Sequence, residues 1–248
     1  MTDDIILYEE LTMNAHPAIK TLFYDGWVMR FSNGYTGRAN SVYPLYLSNI
    51  PIEEKIIVCE ESYRAQNLPA MFKITESSPS SLDKILKKKG YQIIAPTNIM
   101  ITELTGTANH PDSKVIITNE IDKAWQENHF RISEIHDRKI VQTACIMQDN
   151  IQNKVICAMI EVKGTLIATG FCVIERNYAG LYGIVVERSE RGKGYGYDLC
   201  SSLLNRAMEE GATTAYLQVI QDNIPAIALY QKLGFENLYP YWYRVETI

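Results

Sequence analysis

The sequence has no apolar run long enough to span a bilayer, because its longest apolar stretches, such as residues 155–160, have the length of a strand. Its N-terminus lacks the basic segment and apolar core of a secretory signal. It also lacks a basic excess, since 24 lysines and arginines against 29 acidic residues give a formal net charge of −5. Sequence-independent binding to nucleic acids or membrane surfaces needs a basic field. We therefore expect a cytoplasmic protein that binds neither.

Metal and disulfide patterns are also missing. The number of cysteines is odd and no pair has CxxC spacing; the five are Cys59, Cys145, Cys157, Cys172 and Cys200. Most lie in apolar stretches, where a free cysteine behaves as a small hydrophobic residue. The histidines also lack metal-ligand spacing; they are His16, His110, His129 and His136. His129 and His136 could share a helix face, but we interpret them as solvated or core side chains and predict no metal site.

A faint internal repeat is present at an offset of 144 residues. Segment 85–91 reads Ile-Leu-Lys-Lys-Lys-Gly-Tyr and segment 229–235 reads Leu-Tyr-Gln-Lys-Leu-Gly-Phe, and a proline follows each five residues later. Upstream, the strand-like segments 70–74 and 215–219 align with one residue of slippage, and a helical pattern precedes each. Both halves thus carry helix, strand, helix, Gly-aromatic pair and strand; chance similarity of two α/β segments is the alternative. Segment 105–113 has linker composition, which predicts domains at 1–105 and 114–248.

The most informative stretch runs from a buried strand at 181–186 through a glycine-rich turn into a helical pattern that ends near Gly211. This order suits phosphate binding, because glycines allow close backbone approach and a helix N-terminus offers unpaired N–H donors. Three cationic side chains gather at the same place: Arg188, Arg191 and Lys193. The sequence therefore predicts an anion site in this turn.

Two well-known phosphate loops do not fit this turn. The P-loop string GxxxxGK(S/T) is absent, and the GxGxG of residues 192–196 has the wrong spacing for the Rossmann GxGxxG. The pattern Arg-x-x-Gly-x-Gly does fit, through Arg191, Gly194 and Gly196. With this pattern the segment resembles the acetyl-CoA-binding motif of the GNAT superfamily of N-acetyltransferases.

The resemblance implies a fold and a set of cofactor contacts. The fold is of the α/β (α+β) class, here two domains, each a mixed, mostly antiparallel central sheet flanked by helices. The CoA pyrophosphate would be held by the loop, which consists of Arg191, Gly192, Lys193, Gly194, Tyr195 and Gly196. The backbone of Val185 and Val186 would pair with the pantetheine arm. In the first copy of the repeat, residues 46–51 stand at the position of this loop, and no glycine occurs between Gly37 and Gly90. The first copy is therefore expected to be a degenerate domain without a CoA site.

A second motif runs from Asn223 to Phe235 and is similar to the family's Asn-x-x-Ala-x-x-x-Tyr-x-x-x-Gly-Phe. Asn223 suits a helix N-cap and Pro225 an early helical position. The apolar spacing turns Tyr230 inward, where a tyrosine is usually a core residue. The resemblance implies that Tyr230 is the general acid that protonates the CoA thiolate, and that Asn223 contacts the cofactor or orders its loop.

The general base is not indicated by the sequence. Glu161, Glu175 and Tyr182 lie on or near predicted strands, where each is more often a solvated or packing residue. In the first half Leu86 stands in the place of Tyr230. Segments 26–31 and 38–42 carry polar and aromatic groups that could contact an acceptor, or form strands with a solvated face.

These features predict an N-acetyltransferase that moves an acetyl group from acetyl-CoA, its acetyl-donor co-substrate, to a primary amine by direct attack in a ternary complex. The acceptor would be a small-molecule or peptide amine. The alternative is a non-catalytic acyl-CoA-binding sensor or interaction module, which would not need Tyr230. A kinase is disfavoured because Walker and kinase motifs are missing. A tandem chain can mimic a dimer by itself, so we expect a monomer or weak dimer.

Overall fold

The computed structural model describes residues 2–106 and 114–247. The chain divides into two compact units, the first formed by residues 1–98 and 239–248 and the second by residues 99–238. Each unit combines helices with a mixed, mostly antiparallel sheet, which confirms the predicted fold class. No helix within the described ranges is long and apolar enough to cross a membrane.

The first unit contains three helices, four whole strands and parts of two more strands, which continue into the second unit. The helices are α1 (Thr2–Ala15), α2 (Ile52–Arg64) and α3 (Leu82–Lys88). The strands are β1 (Lys20–Tyr24), β2 (Trp27–Phe31), β3 (Val42–Pro44), β4 (Met71–Ile74), the first part of β5 (Gln92–Glu103) and the last part of β11 (Glu236–Val245). Strands β1, β2, β3, β4 and β11 are neighbours in that order, and only β3 and β4 are parallel.

A two-residue turn begins the sheet of the first unit. Asp25 and Gly26 have φ values of 42° and 79° and join β1 to β2, which is the geometry of a type I′ hairpin. A Cβ on Gly26 would lie 2.3 Å from the carbonyl oxygen of Leu47, so only glycine fits there. Residues 27–30 of β2 are all buried, so this strand lacks the solvated face that was one expectation for segment 26–31, and contact of the segment with an acceptor stays a prediction.

A buried ion pair lies inside the first unit. The Lys73 ammonium is 2.6 and 2.8 Å from the Glu9 carboxylate oxygens, and both side chains are almost fully buried. The Tyr239 hydroxyl donates to the same carboxylate at 2.9 Å, and Lys73 lies 3.7 Å from the centre of the Tyr241 ring. Burial is the largest single effect and acts to lower the pKa of Lys73, but the Glu9 carboxylate together with Tyr43 and Tyr241 outweighs it, so the net shift is upward. Each charge depends on the other.

The second unit contains four helices and five whole strands, together with the end of β5 and the first residues of β11. The helices are α4 (Lys123–Ile132), α5 (Arg138–Asp149), α6 (Tyr195–Glu209) and α7 (Ile224–Lys232). The strands are β6 (Val115–Thr118), β7 (Lys154–Val162), β8 (Thr165–Glu175), β9 (Tyr178–Val186), β10 (Thr214–Ile220) and the end of β5. The order is β5, β10, β9, β8, β7, β6, in which β9 and β10 are parallel and the pairs from β9 to β6 are antiparallel.

Alternation along the strands of the second unit gives its sheet two different faces. One face packs on α6 through residues such as Leu181, Cys172 and Leu217. The side chains between them, including Phe171 and Tyr182, point to the opposite face, where the Trp125 ring of α4 meets Phe171 at 5.6 Å.

The two halves of the chain share an order of elements. Helix, strand, helix and strand follow one another as α2, β4, α3, β5 and again as α6, β10, α7, β11. Gly90 and Gly234, with φ of 90° and 86°, follow α3 and α7. In both places the residue after the glycine donates its N–H to a carbonyl oxygen of the helix, Tyr91 to Leu86 and Phe235 to Tyr230. The compact units depart from the predicted domains, since 99–105 belong to the second unit and 239–248 to the first. Residues 107–113 of the predicted linker lie outside the described chain, and the repeat boundary stays a prediction.

Candidate functional site

The strand that leads into the glycine-rich turn, β9, carries a β-bulge. Its register with β8 shifts between Thr169 and Phe171, so that residues 183 and 184 together oppose Gly170. Gly183 has a φ of 59°, which matches a bulge with glycine in the left-handed region. Because a bulge bends the strand and increases its twist, the last residues of β9 take a new direction.

Beyond the bulge, β9 separates from β10. Their parallel pairing runs only as far as Leu181 and Leu217. Further along, no strand of the described chain pairs with the β10 side of β9, while β8 still pairs with Val185 and Val186 on the other side. An unpaired strand edge offers N–H and C=O groups to an extended ligand chain. The predicted pantetheine residues therefore lie at such an edge.

The turn between β9 and α6 presents a row of backbone donors. Gly192 and Gly194 have φ of 78° and 90°, and Gly194 is the N-cap of α6 without a side-chain cap. Helices α4, α5 and α7, in contrast, are capped by Asp122, Asp137 and Asn223. Within the described chain, the N–H groups of residues 192–196 have no backbone acceptor. A 15-residue helix with uncapped N–H donors and a positive dipole end is suited to bind an anion.

The side chains of the turn have other uses. Arg191 Nε donates to the carbonyl oxygen of Val186 at 3.0 Å and so ties the turn to the end of β9. The Lys193 ammonium lies 2.8 Å from Glu190, and this bond raises the pKa of Lys193. A Cβ on Gly196 would lie 3.2 Å from Leu229, so this glycine allows the first turn of α6 to approach α7.

Helix α7 places Tyr230 against the core. The Asn223 side chain accepts the N–H of Ala226 at 3.3 Å and so caps the helix. Tyr230 is 8% exposed and meets Phe235 edge-on at 6.0 Å. Burial, with a smaller contribution from Cys200, raises the pKa of Tyr230 well above its usual value. Its hydroxyl has no hydrogen-bond partner in the described part of the chain, so a protonated donor is free for a ligand.

The three candidate bases lie in different surroundings. Glu161 is exposed on β7, next to a register shift with β8. Glu175 pairs with Tyr178 at the end of β9 that is remote from the turn, and accepts from Asn153 at 3.0 Å. Tyr182 is buried, and its hydroxyl lies 3.2 Å from that of Tyr216. None of these contacts singles out a base.

Comparison with known proteins identifies the family. A family model described as "Probable histone acetyltransferase Rv0428c C-terminal" matches residues 2–244. The chain belongs to this acetyltransferase family. An uncharacterized N-acetyltransferase of Bacillus subtilis, YobR, is 27% identical over 98% of this chain and 99% of its own length. A ribosomal protein bS18-alanine N-acetyltransferase of Haemophilus ducreyi is 31% identical over 29% of this chain and half of its own length.

Solved structures agree on the fold. A GCN5-related N-acetyltransferase from Kribbella flavida superposes with a TM-score of 0.71 at 14% identity, covering 98% of this chain and 95% of that one. A tandem GNAT protein from the clavulanic acid biosynthesis pathway gives 0.64 at 14% identity, covering 96% and 87%. These likenesses show the GNAT fold, and with the family match they confirm the resemblance seen in the sequence.

In the first unit of the acetyltransferase, the backbone N–H groups before a helix are not open as they are before α6. Before α2, the Asp25 carboxylate accepts the N–H of Asn49 at 3.0 and 3.1 Å and that of Ile50 at 2.8 Å. These bonds, the one from Ile50 above all, lower the pKa of Asp25, and Lys55 pairs with it at 3.2 Å. The donors that precede α2 are thus occupied by an anion of the chain itself. Sequence inspection could not find this contact, because residues 25 and 50 meet only through the fold.

The polar residue His129 lies near the bulge, and the sequence did not indicate it as a site residue. His129 Nδ1 lies 3.0 Å from the Thr169 hydroxyl, and a Cβ on Gly183 would be 3.1 Å from its Cε1. In the sequence only its seven-residue spacing from His136 marked it, and the two histidines do not share a helix face, because α4 ends at Ile132. No group of three or more potential metal ligands occurs in the described residues; His110 lies outside them.

Proposed function

We propose that this acetyltransferase moves an acetyl group from acetyl-CoA to a primary amine, which attacks directly in a ternary complex. The observation that carries the proposal is the uncapped N-terminus of α6, whose donors at 192–196 follow directly on the unpaired edge of β9. A pyrophosphate needs such donors, and a pantetheine arm can use such an edge. The residues present therefore suit a CoA thioester.

The site's groups have separate roles in this proposal. Acetyl-CoA, when bound, supplies the acetyl group as an activated thioester. The N–H groups of residues 192–196 hold the pyrophosphate, and the backbone of Val185 and Val186 orients the pantetheine arm. A tyrosine is protonated at neutral pH, and burial raises the pKa of Tyr230 further, so its hydroxyl carries a proton that it can give to the departing thiolate.

An acyl-CoA-binding sensor is the alternative function. Binding alone needs no proton donor next to the ligand. The unbonded, protonated hydroxyl of Tyr230 therefore favours the enzyme over the sensor.

We also propose that the chain is a tandem of two GNAT-like domains, residues 1–105 and 114–248, with a single CoA site. The shared order of elements, the matching helix ends at Gly90 and Gly234 and the likeness to a tandem GNAT protein support the repeat. The Asp25 carboxylate before α2 supports a first domain without CoA. The chain would then act as a monomer or weak dimer.

The acceptor is proposed as a small-molecule or peptide amine. The family description refers to a histone acetyltransferase, and the name of one relative to an alanine of a ribosomal protein. Both acceptors are amines of polypeptides. The net charge of −5 gives no support to binding of nucleic acids or membranes, and a cytoplasmic location stays a prediction.

Calorimetric titration with acetyl-CoA tests the proposal. We expect one binding site per chain with micromolar affinity, followed by release of free CoA thiol when an amine is added. Absence of binding would contradict the function, and two equivalent sites would contradict the degenerate first domain. Binding without thiol release from any of a broad set of amines would favour the sensor.

A further inference from the structure

In the second unit, the sheet face opposite α6 carries an aromatic cluster at the bulge of β9. His129 stacks on Trp125 with ring centres 4.7 Å apart and planes at 10°. Phe171 meets the Trp125 ring edge-on at 5.6 Å and stacks on Tyr182, also at 5.6 Å. This cluster places an imidazole beside Gly183, where β9 begins to separate from β10.

The imidazole of His129 is held in one orientation. Its Nδ1 is 3.0 Å from the Thr169 hydroxyl, and the Trp125 stack fixes the ring plane. His129 is partly exposed, and its Nε2 has no hydrogen-bond partner in the described part of the chain. An imidazole with one nitrogen anchored and the other unbonded can present that second nitrogen to a ligand.

Among the described residues, no carboxylate compensates a charge on this imidazole. Burial alone lowers the pKa of His129 to about 4, so the ring is neutral at physiological pH. On the packed elements, Arg131 of α4 pairs with Glu187 beyond β9 at 3.4 Å, and β8 contributes the neutral Thr169 and Phe171. With no carboxylate beside this cluster to compensate its charge, an ammonium would lose more hydration free energy here than a neutral amine would.

We infer that His129, positioned by Thr169, binds the acceptor amine in its neutral form and takes the proton that the nitrogen loses. The inference rests on the proposed function. The amine nitrogen bonds to the acetyl carbon as the C–S bond breaks, His129 Nε2 takes the nitrogen's proton, and Tyr230 gives its own proton to sulfur. A weakly basic imidazole suffices, because a nitrogen that is becoming an amide loses its proton far more readily than a free ammonium.

The cost of burying an ammonium beside this aromatic cluster also selects a class of acceptor. The pKa of an α-amine is about 8 and that of a lysine ε-amine about 10.4, so near pH 7.5 the neutral fraction of the α-amine is larger by about 200-fold. The site therefore prefers an α-amino group, such as a peptide N-terminus, over a lysine side chain.

The first experiment observes His129 directly. Histidine Cε1 resonances are recorded for the full-length protein saturated with CoA, which carries no acetyl group and so leaves the amine unreacted, and the Asn variant H129N assigns the signal. Adding glycinamide, an α-amine, should shift the His129 signal and leave that of the exposed His136 unchanged. No shift of the His129 signal would overturn the inference.

Kinetics then separate a chemical role from a structural one. H129N should lower kcat/KM for glycinamide by about 30- to 100-fold with the Kd of acetyl-CoA within twofold, and H136N should match wild type. T169V should lower kcat about tenfold, and T169S should restore it. Glycinamide should exceed Nα-acetyl-lysinamide by about 100-fold in kcat/KM at pH 7.5 in the wild type.

The outcomes distinguish this inference from the function on which it rests. Unchanged kcat/KM in H129N, or a preference for the lysine amine, would overturn the role of His129 and leave the acetyltransferase intact. Absence of acetyl-CoA binding to the wild type would overturn both.

Discussion

Replacing Gly194 by valine tests whether the turn before α6 binds the pyrophosphate of acetyl-CoA. Gly194 has a φ of 90°, a conformation that costs a β-branched residue about 1–3 kcal/mol. A Cβ there meets nothing within 4 Å, so the strain is in the backbone and not in packing. The turn should relax by moving the N–H groups of its neighbours, residues 192–196. Each charge-assisted bond lost to a phosphate is worth about 1.5–3 kcal/mol, and every 1.4 kcal/mol is about tenfold in Kd.

We therefore expect G194V to weaken acetyl-CoA binding by about 10- to 100-fold in calorimetry. The matched control is G164V in the turn between β7 and β8, where φ is 80° and a Cβ also meets nothing within 4 Å. Both variants carry the same backbone strain, so their thermal unfolding midpoints should fall by similar amounts. If G194V retains wild-type affinity, or G164V loses as much, the turn does not hold the pyrophosphate.

Two further predictions concern Tyr230 and the buried ion pair of the first unit. Y230F should lower kcat by about 10- to 100-fold with an unchanged Kd for acetyl-CoA. The control Y178F, at the other end of β9, should keep the kcat of the wild type. A wild-type kcat in Y230F would contradict the role of Tyr230 as general acid. E9Q leaves Lys73 charged and buried, so urea unfolding should show a loss of about 3–5 kcal/mol, and a loss below about 1 kcal/mol would contradict the pairing. Because the folded pKa of Lys73 is raised, this stabilisation is complete below its unfolded pKa of about 10.4 and is lost only as pH rises through the higher folded value.

Local signals in the sequence were sufficient for several elements of the site. Glycine spacing predicts the turn at 192–196 because only glycine adopts the φ values found at Gly192 and Gly194 without strain. Asn223 and Pro225 predict the start of α7, and Gly211 the end of α6, since caps depend on a few neighbouring residues. These predictions hold because the interactions that cause them are close in the chain.

Other features arise from contacts between residues remote in sequence. The solvated face expected as one alternative for segment 26–31 was wrong, because burial of β2 depends on the strands and helices around it. The bulge at Gly183 depends on the register with β8, and the Asp25 carboxylate reaches Ile50 only through the hairpin. The composition of those segments indicates none of this.

The sequence by itself determined the family, the glycine-rich turn at 192–196 and the inward placement of Tyr230, because glycine φ values, capping and helical periodicity are local properties. Only the tertiary structure decided which donors are free and which are occupied. The backbone N–H donors before α6 are open, whereas those before α2 are bonded to the Asp25 carboxylate. His129 has a lowered pKa and contacts Thr169 because it is buried between α4 and the sheet. Desolvation and pairing are set by neighbours that the fold brings together, so no local pattern records them.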